Sequence, residues 1–231
     1  MAKHIGIVAC SAEGAALCYR TICVEASNQM GRHNHPEVSM HTYPLAEYMV
    51  GIEKGDWRAV ATLMLRSAEK LEGAGADFLI CPDNTIHQAL GLVLDRSSLP
   101  WLHIAEVVAE EAQRRKFRKL GILGTRFLME GPVYSTALDK FGIGHAVPPE
   151  KDREAVNTVI FDELVYGKLR NAARSRFVKI IAALALQGCD AAVLGCTEIP
   201  LLIDEKSSPL PPLDSTRLLG RAAVRRALAD A

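Results

Sequence analysis

The sequence lacks several features that mark whole classes of protein. No apolar run approaches the roughly 20 residues that a membrane-spanning helix needs. The chain enters an apolar stretch at His4–Ala9 with no secretory leader pattern before it. Lysine plus arginine and aspartate plus glutamate number 27 each, so no net charge favours nucleic acid or an anionic membrane. We therefore expect a cytoplasmic protein with neither a membrane nor a nucleic acid as partner.

Motifs for cofactors and metals are also missing. The six cysteines form no Cys-x-x-Cys pair, which is typical of reduced thiols rather than of a disulfide framework. Neither of the glycine-rich loops that hold nucleotide phosphates is present. His33 and His35 share a polar loop, and this context favours an exposed segment over a metal site. We expect no metal and no cofactor.

Two stretches that resemble one another dominate what is present. Gly75–Thr85 and Gly188–Glu198 align at an offset of 113, and both contain Gly-x-Asp, an apolar run and a small polar cluster. Short apolar runs of this kind are typical of buried parallel strands. Open α/β sheets bind their ligands at the carboxyl ends of such strands. Asp83 and Cys196 occupy the matching positions in the two clusters, so we expect the chemistry there.

A second repeat supports an internal duplication. Ile5–Cys10 matches Leu120–Thr125 at an offset of 115. Short strands that alternate with helices favour parallel sheets, although unrelated α/β proteins share such patterns by chance. We predict an α/β protein with two similar lobes of the Rossmann-like or flavodoxin-like kind. The expected boundaries are 1–115 plus 213–231 for one lobe and 116–212 for the other, with Asp83 and Cys196 facing each other across a cleft.

Hydrophobic spacing predicts the individual elements. The helical period over 57–73 is the clearest, and glycines at 73 and 75 end it. Other helices are predicted over 15–28, 132–140 and 177–186, and a long helical region is predicted from 148–152 to 164. Three more are predicted to begin at about 87, to end at 116 and to begin at about 215. Further strands are predicted over 37–42, 100–104 and 142–147.

In this order and spacing, the motifs resemble those of the aspartate/glutamate racemase family of cofactor-independent amino-acid racemases. The resemblance covers almost the whole chain. It implies two α/β lobes related by a pseudo-twofold axis, a site between them, and a homodimer. The motifs are Asn84-Thr85, Gly121–Thr125, Gly131-x-x-Tyr134, Asp152–Asn157 with Glu163–Lys168, Leu194–Pro200 and Asp214–Thr216.

The resemblance also implies a mechanism that employs two cysteines. One thiolate removes the α-proton from one face of the amino acid, and the opposite thiol returns a proton to the other face. Cys196 matches the second cysteine, whereas Asp83 stands where the family has the first. Cys81 lies two residues earlier, about 6–7 Å further back on an extended strand, so a buried structural role suits it better. Asp83 and Cys196 are therefore the predicted catalytic pair.

The remaining predicted site residues are binding groups. Short donors at strand ends suit the α-carboxylate and ammonium of an amino acid, and the lysine either acidifies the thiol, holds a carboxylate or is an ordinary surface residue. Ser11 and Thr125 are candidates for a second carboxylate, and Glu198 is expected to orient neighbouring donors. The substrate-binding set is Ser11, Asn84, Thr85, Thr125, Lys168, Thr197 and Glu198. Structural roles are favoured for His41, His87 and His103, with His87 the nearest to a pocket role.

The function implied by the resemblance is racemisation at the carbon next to a carboxylate. Replacement of one cysteine by aspartate leaves other readings open. They are a one-base decarboxylase, an isomerase or a hydantoin-type racemase on the same fold. A non-catalytic small-molecule binding protein is a further alternative, although the intact Gly-Cys-Thr-Glu of 195–198 argues against it.

Overall fold

A computed structural model of the chain describes residues 2–229 and divides them into two compact units. The first lobe runs up to Val107 and resumes at Thr216, and the second lobe comprises Val108–Ser215. Each lobe has its own parallel sheet, which confirms the predicted α/β class. No helix within the described residues is both long and apolar enough to cross a membrane.

The elements follow one another in a regular alternation of strands and helices. The strands are β1 (Ile5–Ala9), β2 (Val38–Thr42), β3 (Phe78–Ile80), β4 (Trp101–Leu102), β5 (Lys119–Leu123), β6 (Gly144–Ala146), β7 (Ala191–Leu194) and β8 (Pro212–Asp214). The helices are α1 (Ala12–Met30), α2 (Leu45–Lys54), α3 (Trp57–Gly73), α4 (Leu90–Leu94), α5 (Ile104–Arg114), α6 (Arg126–Glu130), α7 (Val133–Asp139), α8 (Glu150–Asp162), α9 (Asn171–Leu186), α10 (Ile199–Leu202) and α11 (Ser215–Leu228). Two short 3-10 helices cover Thr85–Ala89 and Leu164–Tyr166.

The two sheets have the same topology. Over the described residues the strand orders are β2-β1-β3-β4 and β6-β5-β7-β8, and every pairing is parallel. Ile5 pairs with Phe78 in the first sheet, and Leu120 pairs with Ala191 in the second. These partners are related by the offsets of 115 and 113 found in the sequence. The internal duplication therefore extends to the register of single residues.

The Gly-x-Asp motif has the same structural role in both lobes. Asp77 accepts a hydrogen bond from the His4 amide through Oδ2 at 2.6 Å, and its own amide donates to the His4 carbonyl at 2.9 Å. Asp190 repeats this arrangement with Lys119, at 3.1 Å and 2.9 Å. Hydrogen bonds from amides to a carboxylate are among the stronger ones in proteins. The aspartate thus fixes the start of the third strand of each lobe against the first.

The cores lie between the sheets and their helices, separately in each lobe. In the first lobe, Ile5 and Ile7 of β1 pack in one cluster with Leu219 and Ala223 of α11. The Lys3 amide also donates to the carbonyl of Ala227 at 2.9 Å. Buried aliphatic side chains of α8, α9 and β7 form the core of the second lobe. Helix α11 therefore belongs to the first lobe although it follows the second along the chain.

Most predicted elements are found, and four were missed. Helix α3 has the predicted bounds, and α1 begins three residues earlier than predicted because Ser11 caps it. The elements that were not predicted are helices α2, α6 and α10 and strand β8. Strand β8 is only three residues long and lies in a Ser/Pro-rich stretch. It is a strand because it pairs with β7, and a local sequence pattern does not predict such a pairing.

Gly6 offers a test of the packing beneath β1. A Cβ at this position would overlap the side chain of the fully buried Leu79 and would lie 3.0 Å from the Ala76 Cβ. We expect Gly6→Ala to lower the free energy of unfolding by about 1–3 kcal/mol through overpacking. Urea denaturation measures the change.

Gly73→Ala is the matched control for this test. No atom lies within 4 Å of a Cβ built at Gly73, so alanine should be neutral or stabilising by up to about 1 kcal/mol. Equal unfolding midpoints for Gly6→Ala and wild type would show that the Leu79 side chain can move aside without cost, and would contradict the expected overpacking.

Candidate active site

The first polar cluster begins where β3 ends. After Ile80 the chain continues through Cys81 and Pro82 to Asp83, and then enters the 3-10 helix at Thr85. The half-buried Asp83 accepts a hydrogen bond from the Ile86 amide through Oδ1 at 3.3 Å. Asn84 and Thr85 are both buried. The hydrogen bond from the Ile86 amide to Oδ1 thus holds the Asp83 carboxylate at the carboxyl edge of the first sheet.

Cys81 does not share this partial exposure. Its side chain is completely buried, and Sγ lies 3.9 Å from the Asp83 carbonyl oxygen. Burial raises the pKa of the Cys81 thiol well above its usual range, and the neighbouring Asp83 charge raises it further. A thiol of this kind stays protonated and shielded from solvent. This is the environment of a structural strand cysteine.

The second polar cluster begins where β7 ends. Cys196 follows Leu194 and Gly195, is half-buried, and donates its S–H to Oε2 of Glu198 at 2.8 Å. The direction is fixed, because a carboxylate oxygen can only accept. Glu198 is 4% exposed, and Thr197 is buried beside it. The predicted role of Glu198 toward neighbouring donors therefore takes a specific form, in which its carboxylate contacts the candidate catalytic thiol.

Glycines bring the carboxyl ends of β5 and β7 close together. The Gly195 amide donates to the Leu123 carbonyl at 2.7 Å. A Cβ at Gly195 would lie 2.9 Å from that same oxygen, and one at Gly124 would lie 3.1 Å from the Gly195 carbonyl. Backbone oxygens cannot move aside as a flexible side chain can. Glycine at 195 therefore sets the position of Cys196.

Ser11 and Thr125 occupy equivalent places after the first strand of each lobe. The Ser11 hydroxyl caps α1 by accepting from the Gly14 amide at 3.3 Å, and the Thr125 hydroxyl caps α6 by accepting from the Leu128 amide at 3.2 Å. Capping satisfies a helix amide that would otherwise lack a partner. Both hydroxyls lie at the carboxyl edge of their sheet, in agreement with the sequence repeat.

Lys168 lies on the surface of the second lobe. It follows the 3-10 helix Leu164–Tyr166, and its Nζ sits 5.4 Å from the centroid of the Tyr166 ring. Its amide donates to the Glu163 carbonyl at 3.0 Å. These contacts are those of an exposed cation on an aromatic face. A substrate role for Lys168 stays a prediction.

Sequence reasoning did not single out Ser215 as a support of the site. Its hydroxyl is fully buried and donates to the Leu194 carbonyl at 3.0 Å, next to the turn that carries Cys196. Only the family motif at 214–216 pointed to this residue. Ser215 ties the start of α11 to the end of β7.

The loop histidines lie in a shallow groove. His33 and His35 line a concave surface of about 620 Å³ along α1, together with the exposed ring of Tyr19. Nowhere in residues 2–229 do three or more His, Cys, Asp or Glu side chains gather in a way that could hold a metal ion.

Two lobes of the same topology, each with a polar cluster after its third strand, define a duplicated α/β protein with a candidate site at the carboxyl edge of each sheet. The chain belongs to the Asp/Glu/Hydantoin racemase family, whose model matches residues 7–223. Its relatives include amino-acid and glutamate racemases, which are isomerases, and this protein is an enzyme of that class. The predicted family resemblance is confirmed.

Individual relatives agree with this assignment. The chain is 25% identical to the broad specificity amino-acid racemase RacX of Bacillus subtilis, over 72% of this chain and 71% of RacX. The crystal structure of a candidate Asp/Glu racemase from Yersinia pestis matches with a TM-score of 0.90 and 32% identity, over 98% of this chain and 99% of that one. An aspartate racemase homologue from Pyrococcus horikoshii matches with a TM-score of 0.84 and 28% identity, over 97% and 99%.

The contrast between Cys81 and Cys196 can be tested by alkylation. At pH 8 the native protein should react with iodoacetamide at Cys196 and not at Cys81, because burial both shields Cys81 and raises its pKa. Peptide mass spectrometry after timed labelling measures both sites.

The same protein labelled in urea serves as the control, since there both thiols should react. Native labelling of Cys81 as fast as Cys196 would contradict the buried assignment.

Proposed function

We propose that the protein is an amino-acid racemase that works without pyridoxal phosphate and uses Cys196 and Asp83 as its two acid/base groups. One observation carries this proposal. The two residues occupy equivalent places after β3 and β7, and the repeat that relates them holds in register between the first and third strands of each sheet. Family membership and the names of the relatives support racemisation of an amino acid.

The proposed reaction removes one proton from the α-carbon of the amino acid and delivers another proton to it. The group that is deprotonated removes the α-proton, and the electron pair of the C–H bond passes into the substrate carboxylate as an enediolate. The group that is protonated then delivers its proton to the opposite face of the α-carbon. After one turnover, Asp83 and Cys196 have exchanged protonation states, so the reverse reaction starts from the other form.

The two groups differ as acids. The reference pKa values of aspartic acid and cysteine are about 3.9 and 8.5, a difference that corresponds to about 6 kcal/mol. A carboxylate at Asp83 with a thiol at Cys196 is therefore the expected resting pair. Reaction in the other direction requires a thiolate, which the nearby Glu198 carboxylate would destabilise while it carries its charge.

Glu198 offers a route around this difficulty. The thiol already donates to its carboxylate at 2.8 Å. Transfer of that proton to Glu198 would produce the Cys196 thiolate without placing two negative charges side by side. We propose that Glu198 holds the thiol proton when Cys196 acts as the base. In this direction Asp83 first takes up a proton from solvent, which it delivers to the opposite face of the α-carbon. Glu198 releases its own proton to solvent afterwards, and this restores the resting pair.

The binding groups follow from their chemistry. Asn84, Thr85 and Thr197 are proposed to hold the α-carboxylate and the ammonium, with Lys168 as a further carboxylate ligand. Ser11 and Thr125 would bind a second carboxylate where the substrate has one. An ionised Asp83 works against such substrates, so neutral or cationic side chains are expected to react faster than aspartate and glutamate. As in the family that the sequence resembles, we expect a cytoplasmic homodimer, which sedimentation equilibrium would test.

The function is tested by incubating the protein with separate D- and L-amino acids in D2O. Racemisation replaces the α-proton with deuterium and forms the opposite enantiomer, which NMR and chiral chromatography detect separately. The assay should be repeated after dialysis against a chelator. Deuteration with no inversion for every amino acid would replace the two-base proposal with one-base chemistry.

Substitutions at the two acid/base groups should give distinct outcomes. Cys196→Ala should remove nearly all turnover. Asp83→Asn keeps an oxygen that can cap Ile86 but has no titratable proton, so turnover should fall by about 10²–10⁴-fold. The acidic limb of the pH–rate profile should disappear with it.

Cys81→Ala is the control for these substitutions and should keep most of the activity. If Asp83→Asn racemises as fast as wild type with an unchanged acidic limb, Asp83 is a binding or structural residue. Similar losses from Cys81→Ala and Cys196→Ala would mean that Cys81 takes the place assigned to Asp83.

Glu198→Gln tests the proposed proton transfer. The amide can still accept a hydrogen bond from the thiol but cannot take up its proton, so turnover should fall by about 10²–10⁴-fold. The loss should be larger for the enantiomer that Cys196 deprotonates, as initial deuterium exchange of each enantiomer would show. Equal activity of Glu198→Gln and wild type would limit Glu198 to packing.

A further inference from the structure

His87 is a buried histidine that the proposed reaction does not use. It lies on the 3-10 helix directly after Asp83 and Asn84, and its side chain is 3% exposed. Its Nδ1 is 2.7 Å from the Asp83 carbonyl oxygen, and its Nε2 is 3.2 Å from the Ile104 amide nitrogen. Both ring nitrogens therefore contact backbone.

These two contacts determine the tautomer. A carbonyl oxygen can only accept, so Nδ1 carries the hydrogen, and the Ile104 amide can only donate, so Nε2 carries the lone pair. A protonated imidazole would have two donors and would lose the bond from Ile104. Burial, together with a smaller effect of the neighbouring His103, lowers the pKa of His87 to about 3. The ring is therefore a neutral donor and acceptor at physiological pH.

The ring connects two adjacent strand ends of the first sheet. Asp83 follows β3, and Ile104 begins α5 just after β4, which pairs with β3. The first amides of a helix have no partner within it, and the buried Ile104 amide obtains one from His87. The next amide, that of Ala105, donates to Nδ1 of His103 at 3.2 Å. Two histidine rings thus accept from the first two amides of α5, and one of these rings also donates to the carbonyl of Asp83.

This arrangement restrains Asp83 at two points. Its carbonyl accepts from His87, and its carboxylate accepts from the Ile86 amide. The peptide plane after Asp83 is then fixed, together with the direction in which Asn84 leaves it. The carboxylate keeps one oxygen engaged, and its second oxygen is oriented by the same restraints.

We propose that His87 is a positioning residue that sets the geometry of Asp83 for proton transfer by linking the Asp83 carbonyl to the first turn of α5. The role rests on the proposed function, in which Asp83 exchanges a proton with the substrate. His87 itself neither contacts substrate nor titrates during turnover.

Two substitutions of His87 test its hydrogen bonds to Asp83 and Ile104 one at a time. The side-chain amide nitrogen of His87→Asn can stand in for Nδ1–H and donate to Asp83, but the side chain is too short to reach Ile104. The carbonyl oxygen of His87→Gln can stand in for Nε2 and accept from Ile104, but it does not restore the bond to Asp83. A purely structural role predicts that turnover follows stability in both variants.

The proposal predicts opposite orders for activity and stability. His87→Gln should keep an unfolding temperature close to that of wild type and lose about 10–100-fold in kcat with little change in KM, because Asp83 is misplaced. His87→Asn should unfold about 2–4 °C lower, as expected for about 1 kcal/mol in a chain of this size, and lose less kcat than His87→Gln. In an Asp83→Asn background, His87→Gln should cause no further loss.

Other outcomes overturn the proposal. His87→Gln with wild-type kcat, or a full additional loss in the Asp83→Asn background, would show that His87 does not act through Asp83. Long-range ¹H–¹⁵N NMR spectra test the ring independently of activity, with the His87 signals assigned by their loss in His87→Gln. Protonation on Nε2, or titration near pH 6.5, would contradict the geometry. A wild type that exchanges no α-proton would refute the proposed function and the positioning role, whereas the spectra would still report the tautomer.

Discussion

The pairing of the first and third strands, fixed at its start by an aspartate, is the constraint on which each lobe depends. Asp77 and Asp190 bind the backbone of the neighbouring first strand and thereby set its register. Because strands advance by about 3.3 Å per residue, a shift of one residue would move every side chain to the other face of the sheet. The aspartate before the third strand thus determines which side chains lie where that strand ends.

The two lobes share one topology but differ in the residues at the ends of their third strands. Asp83 and Cys196 follow matching strands, but their supports differ. Asp83 is restrained through its backbone by His87, whereas the Cys196 thiol contacts a charged partner, Glu198. A thiol needs help to lose its proton at neutral pH, and a carboxylate does not. In the proposed reaction, the supporting residues would compensate for this difference between the two acid/base groups.

The sequence was most informative where a pattern depends on local geometry. Gly-x-Asp, the apolar strands and the helical period of α3 were all readable, because burial and backbone shape impose them directly. The contact between Cys196 and Glu198 was harder to predict. The two residues are only two positions apart, and no periodicity marks a contact across a turn. The bonds of His87 to Asp83 and Ile104 were harder still. They join groups separated by up to 17 positions, and two adjacent strands have to be in place before they can form.

The place of α11 has a consequence for synthesis at the ribosome. The first lobe draws core residues from β1 and from α11, and the whole second lobe lies between them along the chain. A nascent chain can therefore complete the second core while the first still exposes the apolar surface that Leu219 and Ala223 will cover. Since translation adds about 5–20 residues per second, this surface stays uncovered for several seconds. The second core can then be completed before the first, and the earlier half of the chain is the one whose apolar surface stays exposed for longer.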